Sequence, residues 1–78
     1  LALLGDESAV TSLYHALEVV DPTFVRAQAG LHADLAQAHL VRAEYHDAHT
    51  HLRQARLLAS RTGSVRQRRR VDLLSARL

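Results

Sequence analysis

The sequence predicts an all-α fold of antiparallel helical hairpins, and three observations carry that expectation. The stretch from Leu31 to Ala59 holds two helical patterns with small residues where the helices would cross. Only three aromatic residues occur, Tyr14, Phe24 and Tyr45, so the interior must be built from leucine, valine and alanine. That composition favours closely packed helices. Helix punctuation falls at Asp21-Pro22 and at Thr62-Gly63.

The 78 residues allow one small domain. A chain of this size buries only about 60–65% of the surface its unfolded form exposes, so little stability is in reserve. There is no cysteine, which excludes disulfides and thiolate metal sites and fits a cytoplasmic protein. No apolar run reaches the roughly 20 residues of a membrane span, and no signal peptide is visible. The chain opens at Leu1, inside an element, and reads as part of a longer protein. Its ten basic residues are all arginine, and the formal net charge of +2 is too small to imply nucleic-acid binding by itself.

Four helices are expected. The first, over about 6–20, is capped by Asp6 after Gly5 and carries the stripe Ala9, Leu13, Ala16, Val20. Residues before Gly5 look like the tail of a preceding element. Asp21 suits the N-cap of the second helix, over about 22–42, with Pro22 in its first position, where the missing N–H costs nothing. That helix carries two stripes: Phe24, Ala27, Leu31, Leu35, Ala38 and Val25, Ala29, Ala36, Leu40. Apolar on two sides, it should be sandwiched between neighbours. Gly30 inside it costs about 1 kcal/mol relative to alanine, which a close helix crossing would explain. The third helix, over about 45–60, has the stripe Tyr45, Ala48, Leu52, Ala55, Ala59, and Gly63 suits a left-handed C-cap after it. Ser64 then caps a last helix, over about 64–77, whose weaker face is Val71, Leu74 and Leu78 beside Gln67. The rest is largely arginine, as in the wet-faced terminal cap of a repeat array.

The first and third helices align without gaps: Ala9, Thr11, Leu13 and Ala16 recur as Ala48, Thr50, Leu52 and Ala55, at an offset of 39 residues. Leu35-Ala36, with His39 after it, sits where the tetratricopeptide consensus has Leu-Gly and a tyrosine. Ala48, Leu52 and Ala55 follow at the consensus spacing of the second helix, after the acidic-aromatic turn Glu44-Tyr45-His46-Asp47. The chain thus resembles a tetratricopeptide repeat from about Ala29 to Ser60, preceded by the second helix of an earlier repeat. His32 departs from the family's tryptophan. More narrowly, HADLAQAHL, then EYHDAHTHLRQARLLASRTGSVRQRRRVDLLSARL, resembles the C-terminal end of the helical-repeat domains of actinobacterial helix-turn-helix transcriptional regulators. The resemblance implies an α-solenoid fragment with a capping helix, and a partner-binding, oligomerising or effector-sensing role. DNA contact would then belong to a separate domain absent from this chain.

On a tetratricopeptide hairpin the inner helix usually lines the concave groove. The corresponding candidates for partner contact are Gly30, Ala33, Asp34, Gln37, Leu40 and Val41, which offer an apolar peptide or helix more than they offer a carboxylate clamp. They would serve equally well as packing. Leu13 and Leu17, with Ala9 and Val20, would be exposed by the missing preceding repeat, and homodimerisation there would cover them. Arg66, Arg68, Arg69 and Arg70 are candidates for a phosphate or acidic partner, although they spread around the helix and Asp72 can pair with Arg68 or Arg69. No aromatic residues interleave with them as a nucleic-acid reader would require. A small-molecule pocket between the inner helices is the other alternative.

Among six histidines, His46 and His49 could share a metal with Asp47 or His39, but no HExxH-type arrangement occurs. No metal or cofactor is therefore expected. The histidines read as surface residues, with His39 a partly buried polar packing group in a tyrosine place. No serine–histidine–acid set, paired carboxylates or glycine-rich phosphate loop is present, so the chain is expected not to be an enzyme.

Overall fold

The computed structural model describes residues 7–78, which are all-α. The helices are α1 (Glu7–Val19), α2 (Val25–Val41), α3 (Tyr45–Thr62) and α4 (Val65–Ser75). Gly5, the residues before it and the expected Asp6 cap lie outside the described residues. No helix among the described residues is long and apolar enough to cross a membrane.

α2 is the central helix, packing on α1, α3 and α4, while α4 also packs on α3. The two apolar stripes anticipated this sandwich, and Ala29, Ala33, Leu35, Ala36, Ala38, His39 and Leu40 of α2 are buried. One core cluster joins Ala33, Ala36 and Leu40 of α2 to Ala48, Leu52 and Ala55 of α3 and Val71 and Leu74 of α4. Alanine dominates it, so helices meet through short side chains with little entropy to lose.

Helix ends follow local chemistry. Gly63 takes the left-handed conformation (φ 68°) and its N–H donates to the Ala59 carbonyl, closing α3. Ser64 accepts the Gln67 N–H at 3.3 Å and caps α4. The start of α2 differs from expectation. The Asp21 carboxylate takes the N–H and hydroxyl of Thr23, at 2.9 and 2.7 Å. This turn competes with helix capping and delays α2 to Val25, so Pro22 lies in the turn instead of the first helical position. The α2–α3 turn places Ala43 at φ 60°, a conformation alanine adopts at a cost of about 1–2 kcal/mol.

Three other expectations are corrected. A Cβ built on Gly30 meets nothing within 4 Å, so no helix crosses closely there. Asp72 pairs with Arg56 of α3 at 3.2 Å, not with Arg68 or Arg69, because α4 turns it towards its neighbour. Phe24, Tyr45 and Leu78, each placed in an apolar stripe, are exposed: Phe24 precedes α2, Tyr45 opens α3 and Leu78 lies beyond the end of α4.

Candidate functional site

Two constellations stand out, one on each side of α2. The first is a cleft of about 440 Å³ between α2, α3 and α4. Ala29, Gly30, Ala33, Ala55 and Val71 line its apolar part, and Arg66, Gln67 and Arg70 its polar part. Gly30 therefore opens onto space. Clasps fix the cleft's α2–α4 wall. The Gln67 side-chain amide donates to the Arg26 carbonyl at 2.9 Å. One guanidinium nitrogen of Arg70 donates to the Asp34 carboxylate and, at 3.1 Å, to the Gln37 side-chain oxygen. Arg56 ties α3 to α4 through Asp72 and through Ser75 Oγ at 2.8 Å.

The candidate residues are thus divided. Ala33 lies in the cleft and is also packed in the core, whereas Leu40 is buried in the core alone. Asp34 and Gln37 are engaged by Arg70, and Val41 is exposed at the far end of α2. Leu13, Leu17 and Ala9 are half-buried on α1, and Val20 is half-buried just beyond its end. Of the four arginines, Arg70 is held within the fold, while Arg66, Arg68 and Arg69 are exposed, and among the described residues they form no ion pair. Only Arg66 of these three lines the cleft.

The second constellation is a polar seam between α1, α2 and α3. His39 is 6% exposed and His51 9%, so burial of polar rings extends beyond His39. The Tyr14 hydroxyl lies 3.0 Å from His39 Nε2 and 2.7 Å from His51 Nε2. His51 Nδ1 faces His32 Nδ1 at 3.0 Å, and His39 Nδ1 faces Glu44 Oε1 at 3.0 Å. Arg42 Nε donates to the same carboxylate oxygen at 2.8 Å. The His39 and His51 rings stack within 3° of parallel, and Tyr14 meets both edge-on.

Electrostatics follow from this packing. Hydrogen bonds from His39 and then Arg42 pull the Glu44 carboxyl below its ordinary value. Burial pushes the Tyr14 phenol up. It pushes His32 down, and it drives His51 down to about 4, with repulsion from His32 and His39 adding to the effect and Asp47 opposing it. Sequence reading placed His32 and His51 at the surface and gave Tyr14 no role. The available signal was spacing: His32, Leu35 and His39 share one face of α2.

Among the described residues, no three acidic or histidine side chains are grouped to hold a metal ion. The chain matches no known protein-family model, and no curated protein or solved structure is significantly similar to it.

Proposed function

We propose that this chain is a protein-interaction module, a tetratricopeptide-like piece of a cytoplasmic bacterial transcriptional regulator, and that it holds a short partner segment in the α2–α3–α4 cleft. The cleft itself carries the proposal: a small-residue floor, open above Gly30, beside the exposed guanidinium of Arg66. Small side chains leave room for an apolar anchor from the partner, as in helix-in-groove recognition. Arg66 favours an acidic group next to that anchor. The glycine fits this use, because its helix cost of about 1 kcal/mol secures no packing within the chain. The repeat-like recurrence of Ala48, Leu52 and Ala55 supports the tetratricopeptide reading, as does the packing of α4 on both preceding helices.

Panning phage-displayed random peptides against the chain tests the proposal. The expected binders carry a bulky apolar residue next to Asp or Glu, and lose at least about tenfold in affinity towards Gly30→Leu and towards Arg66→Glu. Binders indifferent to both changes, or no enrichment over an unrelated helical protein, would overturn it.

A further inference from the structure

The proton positions in the seam follow from one fixed point. The Glu44 carboxylate, held by Arg42, can only accept, so His39 Nδ1 carries hydrogen. Neutral His39 then has a bare Nε2, and the Tyr14 hydroxyl donates to it. Tyr14 has a single hydrogen to give, so it accepts from His51 Nε2–H. His51 Nδ1 is then bare and accepts from His32 Nδ1–H. With three neutral imidazoles every donor in the seam has one acceptor, and the order runs His32 to His51 to Tyr14 to His39 to Glu44.

Acid breaks this order. A proton on His39 Nε2 removes the acceptor of the Tyr14 hydroxyl. One extra proton can be shared between His32 and His51, but it leaves a charge in a half-dry contact. A second proton sets two N–H donors and two charges face to face at 3.0 Å. The charged groups around the seam are Arg42 and Glu44 in the α2–α3 turn and Asp47 on α3. Asp47 attracts a proton to His51, whereas His32 and His39 repel it.

Relief comes most readily from α1. None of its residues is buried, and among the described residues α2 is the one helix whose backbone it approaches. Tyr14 ties it to the rest of the fold, its hydroxyl lying over His39 and His51. α3 and α4, by contrast, share the alanine–leucine core with α2.

We propose that Tyr14, His32, His39 and His51 form a pH-sensitive latch, closed over neutral imidazoles and released by acid, so that α1 undocks while α2, α3 and α4 remain packed. The inference does not depend on the cleft. Its sign follows from burial. His51, and to a lesser extent His32, takes up protons more readily undocked than docked. Docking is therefore complete above the ordinary histidine value near 6.5, weakens as pH falls below it, and has lost the His51 contribution at about 4.

Amide hydrogen exchange on the whole chain, corrected for the intrinsic pH dependence of exchange, provides the test. Between about pH 7.5 and about pH 4.5, amides of α1 should lose at least roughly tenfold more protection than the core amides of α2 and α3. His32→Gln/His51→Gln, with no titrating ring at either position, should flatten that difference. Tyr14→Phe should leave α1 weakly protected at every pH. Histidine ring NMR on the unaltered chain gives a readout that needs no variant, and His51 should titrate well below the ordinary range. The proposal fails if α1 stays protected throughout. It also fails if all helices lose protection at one midpoint, if the double variant keeps the pH dependence, or if His51 titrates normally.

Discussion

The two sides of α2 are packed by different chemistry. Towards α3 and α4 it presents Ala33, Ala36 and Leu40, which meet Ala48, Leu52, Ala55, Val71 and Leu74. Towards the α1 seam it presents His32, His39 and the fully buried Leu35 between them. The apolar cluster of the first interface is non-directional and insensitive to pH, its strength grows with area removed from water, and the Gln67 and Arg70 clasps add to it. The second depends on each donor finding one acceptor, so a single lost partner strands a buried polar atom. A helix can thus be held firmly by a shared apolar core on one side and conditionally by a hydrogen-bonded seam on the other.

Breaking the first interface should have the largest effect. Leu52→Ala removes the largest α3 side chain from the core cluster and should cost about 2–5 kcal/mol, enough to threaten folding of so small a chain. Thermal unfolding followed by circular dichroism checks this, and all helices should melt together. Breaking the second interface should cost less and act locally. Tyr14→Phe leaves the His39 and His51 nitrogens without their partner, for about 1–3 kcal/mol, and exchange protection should fall in α1 while the α3 core holds.

Two substitutions sharpen the contrast by touching neither interface. Gly30→Ala adds a Cβ that meets nothing, so it should stabilise the chain by about 1 kcal/mol, read as a higher melting temperature. An unchanged or lower melting temperature would show that the space above Gly30 is not open. Ala43→Gly relieves the left-handed backbone but gains freedom when unfolded. The net stabilisation should be about 0.5 kcal/mol, measurable in urea as a shifted midpoint with the same slope.

Much of the fold was legible in the sequence because its signals are local. The stripes of the third helix marked Ala48, Leu52, Ala55 and Ala59, all of which are buried. Gly63 and Ser64 act at the positions their chemistry suits. Pro22 misled because a helix start and an Asx turn use the same residue types, and the Thr23 hydroxyl decided between them. Ala43 carried no signal, since alanine does not advertise a left-handed position. The seam was hidden for a different reason. Tyr14 meets partners 25 and 37 residues away, and such pairings depend on how helices cross, which spacing within one helix does not encode. The cleft was half legible. Gly30 and Ala33 were marked as groove residues, but Arg66 was marked only as one of a charge cluster, and its place opposite them comes from the docking of α4.

The clasps between α2 and α4 have an electrical consequence. Gln67 reaches Arg26, and Arg70, one turn further along α4, reaches Asp34 and Gln37, further along α2. The two helices therefore run in the same sense, and their amino-terminal ends lie side by side. Each end carries about half a positive charge from its aligned peptide dipoles, and the two add, while the carboxyl-terminal end of α3, which lies beside them at Thr62, offsets about one of the halves. The first turn of α4 also carries Arg66. One mouth of the cleft is thus a positive pole set by backbone direction as well as by side chains. Neutralising Arg66 alone would leave part of that field in place, and raising the salt concentration would screen what reaches into solvent.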